Sequence, residues 1–159
     1  MTMDVNKEEL VQMLKKSHVR EARNVVSTIE YTQLSDLLID IAFDNNDMIQ
    51  IYFLVLEMLG KRDEIEIHRL AMDLLANPLC VIPGAYFGAV YHAKKMIELE
   101  PFEIKHKEQL LYFHIFPDRL LSNKEIETLV NEVLAVNPNS KIAKDAQNRK
   151  SIMKNVEFN

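Results

Sequence analysis

The stretch "VLAVNPNSKIAKDAQ", Val133–Gln147, contains the joint on which the fold is read. Apolar residues at helical spacing run up to Val136, Asn137-Pro138 interrupts them, and a second helical pattern starts straight after Ser140. A helix usually ends before a proline. An earlier stretch, "MIELEPFEIKHKEQLL" (Met96–Leu111), has the same form. Two joints of one kind raise the question of a repeated helical structure.

Working outward, the same spacing recurs along the chain. Helical runs are expected over about Lys7–Ser17, Val19–Glu30, Gln33–Asp44, Met48–Leu59, Glu64–Ala76, Gly84–Leu99, Glu103–Ile115, Ser122–Val136 and Ser140–Arg149. The breaks carry the expected punctuation. Asp47, closing "DNND", is placed to cap the fourth run. Gly60 ends that run, Asn77-Pro78 the fifth, and the prolines at 101 and 117 the sixth and seventh. "SNKE" (Ser122–Glu125) matches a capping box. Residues 48–59 are apolar nearly all round, which predicts a helix buried at the centre of its domain. No alternating strand pattern stands out.

Runs four, six and eight begin near Asp47, Gly84 and Ser122, 37 and 38 residues apart. Such a period suits antiparallel helical hairpins that bury their apolar faces on one another. The expected fold is therefore all-α, with eight or nine helices as a short α-solenoid or an irregular helical bundle. Residues 1–150 are read as one domain and 151–159 as a frayed tail.

Two segments resemble known repeats. "DNNDMIQIYFLVLEMLG" resembles the second helix of a HEAT-type repeat. "AVYHAKKMIELEP" and "VNEVLAVNPNS" resemble the close of a tetratricopeptide repeat, with Ala89, Ala93 and Pro101 near positions such a repeat uses. The glycine and aromatic positions of a tetratricopeptide first helix are missing. The resemblance implies a helical scaffold with a binding role and names no ligand.

Composition agrees with a helical domain. Of 159 residues, 48% are hydrophobic and 27% charged, with only 3 Gly and 5 Pro. Cys80 is the single cysteine, so no disulfide can form within the chain. The polar start "MTMDVNKEEL" lacks the apolar core of a signal peptide, and "IYFLVL" is too short to span a bilayer. A cytoplasmic protein with no membrane role is expected. The net charge of -5 argues against nucleic-acid binding.

Charge is spread unevenly. Residues 31–60 hold Asp36, Asp40, Asp44, Asp47 and Glu57 and no Lys or Arg, while 139–159 hold five cations against two carboxylates. Asp36, Asp40 and Asp44 recur every four residues, so they share one helix face and repel. Either a cation from a neighbouring helix matches them, or they form a negative patch that steers a basic partner. On the sixth run, Phe87 and Tyr91 lie beside Lys94 and Lys95. Packing on the next hairpin is the expected role of these rings, with anchoring of a partner as the alternative.

Chemistry-bearing motifs are sparse. His18, His68, His92, His106 and His114 show no metal-site spacing. Cys80 would need a base, for which His68 and His92 are the candidates. Gly84 and Gly88, four apart, are read as a close-packing device rather than a phosphate loop. The expected function is a non-enzymatic interaction module without cofactor or metal, holding a basic protein through Asp36, Asp40, Asp44 and Asp47, or through Phe87 and Tyr91. An immunity or antitoxin protein that covers the groove of a nuclease-like toxin is one form of it. The alternative is a metal-dependent helical-bundle enzyme using His68, His92, His106 or His114 with carboxylates.

Overall fold

The computed structural model describes residues 5–60, 64–116 and 118–156. Among them it is all-helical: α1 Lys7–Lys15, α2 Val19–Val26, α3 Tyr31–Asp44, α4 Gln50–Leu59, α5 Ile65–Ala76, α6 Ala85–Leu99, α7 Ile104–Tyr112, α8 Asn123–Val136 and α9 Lys141–Val156, with a short 3-10 turn at Phe113–Ile115. Each expected run has its helix. Helix α9 continues past Arg149 into the segment read as a tail. Pro117, the expected stop of the seventh run, lies outside the described residues, as does the chain from 157 on.

The joint at 137–140 is built as a double cap. Asn137 closes α8 with its amide on the Val133 carbonyl (2.7 Å), and the Ser140 hydroxyl accepts from the Ala143 amide (3.4 Å) at the start of α9. Ser140 is buried, so this joint is part of the core. Elsewhere the ends shift by a few residues for local reasons. Glu30 caps α3 by accepting from the Thr32 amide (2.9 Å), so that helix starts at Tyr31 rather than Gln33. Helix α7 tightens into the 3-10 turn over its last residues.

Two sequence expectations are corrected here, and a third, the close-packing glycines, holds for Gly88 but not for Gly84. Asp47 does not cap α4: Ile49 holds the N-cap position and makes no side-chain bond. The turn satisfies itself instead, with the Met48 amide on the Asn45 carbonyl (3.0 Å) and the Asn45 side chain on the Ile41 carbonyl (2.9 Å). Helix α4 is not buried all round. Ile51, Leu54 and Val55 are fully buried, but Phe53 keeps 46% of its surface exposed. The two glycines do separate jobs. Gly84 has φ +86 in the turn just ahead of α6, a conformation that suits glycine. Gly88 lies within α6, where an added Cβ would come 2.7 Å from the Leu75 side chain.

The chain divides into two compact units, Met1–His92 and Ala93–Asn159, with the boundary inside α6. In the first unit α4 packs on α2 and α5, while α1 lies against α2, α3 and α4. Leu10, Leu14, Leu38, Ile41, Leu54 and Leu70 are among the side chains at its centre. Removing this apolar area from water is the main force holding the helices together. In the second unit α7, α8 and α9 each touch the other two. Leu110, Leu111, Leu129, Val133 and Ala143 are buried there.

The capping box of α8 is formed. The Ser122 hydroxyl accepts from the Glu125 amide (3.2 Å), and the Glu125 carboxylate accepts from the Ser122 amide (2.8 Å). Lys94 pairs with the same carboxylate. The ammonium and the two Ser122 donors hold that carboxyl down at a pKa of about 2. Ser122→Ala should therefore lower stability by about 1 kcal/mol, and Ser122→Asp should restore most of it. Urea denaturation of the two variants checks this; equal losses would show that the cap contributes nothing.

Candidate functional site

The acidic residues singled out from the sequence lie on α3 and just beyond it. Asp36, Asp40 and Asp44 are all exposed. Lys7, from α1, pairs with Asp40 and with Asp44 (2.9 Å to the latter). These two carboxylates raise the Lys7 pKa above its ordinary value. A cation from a neighbouring helix thus matches part of the strip. Asp36 and Asp47 have no ion pair among the described residues.

One residue of this face escaped the sequence reading. Phe43 is 64% exposed. It follows Asp40 by three positions and Asp36 by seven, so it shares their face of α3. An exposed aromatic ring therefore sits beside Asp36 and Asp40, at the edge of the acidic strip. The helical spacing was the signal that could have found it, but a phenylalanine between Ala42 and Asp44 reads as core.

Phe87 and Tyr91, expected to pack on the next hairpin, lie largely at the surface. They remain 62% and 54% exposed on α6. The reason lies in the register of α6: Ala85, Ala89, His92 and Ala93 take the buried stripe, and Phe87 and Tyr91 fall off it. Tyr86 and Ile97, on the same helix, are only partly buried. Farther along, Lys94 and Lys95 are engaged with Glu125 and Glu98.

The histidines are brought together in one pair. His68, on α5, and His92, on α6, are 3% and 0% exposed. Their Nδ1 atoms lie 2.8 Å apart, and His92 Nε2 lies 2.9 Å from the Tyr52 hydroxyl on α4. The Tyr91 ring meets His92 edge-on, with centroids 5.1 Å apart. An Nδ1–Nδ1 hydrogen bond needs one proton between the two rings, so the tautomers are linked. If Tyr52 donates to His92 Nε2, His92 donates to His68; if His68 donates, His92 donates to Tyr52. Burial, and then the neighbouring His68, push the His92 pKa down to about 4. Burial raises that of the Tyr52 phenol. Both groups are therefore neutral near pH 7, as their burial favours.

The other histidines stand apart. His106 is buried in the second unit, 2.8 Å from the Glu100 carboxylate. His114 contacts the Leu111 carbonyl (2.6 Å), and His18 is exposed at the start of α2. Among the described residues no three His, Cys, Asp or Glu side chains converge as metal ligands would. Cys80 is partly buried in the turn after α5. Both ring nitrogens of His92 are taken by Tyr52 and His68, which leaves His92 none to serve that thiol.

Compared with known protein families, curated proteins and solved structures, the chain matches none. The likeness to HEAT-type and tetratricopeptide repeats thus has no counterpart among family models. No helix of the described residues is long and apolar enough to cross a membrane.

Proposed function

We propose that this protein is a non-catalytic binding module whose α3 face holds a partner protein with a basic surface. The observation that carries the reading is Phe43, an exposed ring on the α3 face of Asp36 and Asp40, at the edge of the acidic strip. Binding faces concentrate their energy in a few large side chains, aromatics prominent among them. Surrounding charges add steering and choice of partner. The carboxylates would guide a cationic surface in, and the ring would supply the apolar contact. Lys7 covers two of the three carboxylates and would have to be displaced or share them. An immunity or antitoxin protein, masking the cationic groove of a nuclease-like toxin, is one concrete form of this module.

The test is retention of a partner from cell lysate at low and moderate salt, followed by titration of the isolated pair. Phe43→Ala should weaken binding roughly tenfold or more. Asp36→Lys should weaken it chiefly at low salt, where charge is least screened. Lys7→Ala, which bares Asp40 and Asp44, should speed association. Undiminished binding by both Phe43→Ala and Asp36→Lys would remove α3 as the binding face. The toxin version predicts that an equimolar amount of this protein abolishes the activity of the captured partner.

A further inference from the structure

The first unit also contains a cleft, lined by none of the aspartates or histidines described above. It has a volume of about 390 Å³, within the roughly 300–1,000 Å³ typical of small-molecule sites. It opens where α2 ends, α3 and α5 begin, and α4 finishes. Val26, Leu34 and Ile67, all buried, and Met58, partly buried, give it an apolar floor.

Arg23 and Asn24 supply polar groups. Arg23 donates from Nη2 to the Asn24 side-chain oxygen (2.8 Å). Its side chain makes no other hydrogen bond and has no carboxylate partner among the described residues. A guanidinium carries five N–H donors in a planar fork that matches a carboxylate. Most of that fork is uncommitted, and Asn24 holds it in place. Glu64 also lines the cleft and is engaged in an interaction of its own. An uncompensated cation beside an apolar floor selects a ligand with an anionic head and an aliphatic body.

We propose that this cleft binds a free monocarboxylate with a medium-length aliphatic chain. The head meets the Arg23 guanidinium in a two-pronged hydrogen bond. The chain lies over Val26, Leu34 and Ile67. Charge and apolar surface are both needed, so neither half of such a molecule should bind well alone.

Calorimetric titration of the whole chain with sodium octanoate tests this. One saturable equivalent is expected. Butyrate, with four fewer methylenes, should bind at least tenfold more weakly, because each buried methylene adds to affinity. Octan-1-ol keeps the chain without the charge and should also be at least tenfold weaker. Arg23→Gln should bring octanoate down to the level of octan-1-ol, with unchanged helix content by circular dichroism. Arg23→Lys, a cation without the fork, should fall between. The proposal is overturned by non-saturable uptake of several equivalents, by equal binding of octanoate and octan-1-ol, or by full octanoate affinity in Arg23→Gln.

Discussion

Truncating His92 to alanine is expected to lower the stability of the chain by about 3 kcal/mol, one of the two largest single effects argued for this protein. The imidazole is fully buried. Its removal leaves a cavity and takes a partner from two polar groups at once, the Tyr52 hydroxyl and His68 Nδ1. Tyr52 is half-buried and can turn to water, but His68 is 3% exposed and cannot. A buried polar atom left without its partner costs about 1–3 kcal/mol. The cause can be separated from simple loss of packing. Replacing both His68 and His92 by leucine removes the stranded groups together. The double variant should therefore be less damaged than the sum of the two single leucine variants, with a coupling of about 1–3 kcal/mol. Urea denaturation of the four proteins at pH 7.5 gives the cycle. Additive losses would mean that the two rings do not act as a pair.

That pair was not legible in the sequence, and the reason is physical. His68 and His92 are 24 residues apart on different helices, and Tyr52 is 40 residues from His92. No local spacing links them. They meet only because α5 and α6 each turn a histidine inward among apolar neighbours. The helices themselves were legible, since the 3.6-residue period and the stop signals are local properties. Ser122 and Glu125 were found for the same reason, because a capping box lies within one turn. Local reading failed where neighbours decide. Asp47 looked like a cap, but bonds from the Asn45 side chain and the Met48 amide close the turn. Phe53, Phe87 and Tyr91 looked like core, but a helix buries only the stripe its neighbours cover. Lys7 shows the converse: no residue near α3 in sequence compensates Asp40 and Asp44, yet one 33 residues from Asp40 does.

The second large effect is on the response to acid. In the folded chain His92 holds its pKa near 4, against an ordinary value of 6.5. The unfolded chain therefore takes up this proton more readily than the folded one. The stability contributed by a neutral His92 is fully present above about pH 6.5. It erodes as pH falls below that and is gone once pH has passed about 4. A displacement of this size corresponds to roughly 3 kcal/mol across the window. Among the described residues the hydrogen-bond and ring partners of His92 are His68, Tyr52 and Tyr91, none of them a carboxylate. The Glu125 carboxyl, held near 2, acts at lower pH. Its pair with Lys94 is also exposed and contributes less than about 1 kcal/mol. The reference variant is His92→Gln, whose amide can bond to both neighbours and carries no charge at any pH. Denaturation curves taken from pH 7.5 to 3.5 should show the wild type losing roughly 3 kcal/mol more than His92→Gln, with the difference accumulating between about pH 6.5 and 4. A difference that stays flat over that range would mean that His92 accepts its proton in the folded core as easily as in water, and that burial does not hold it neutral.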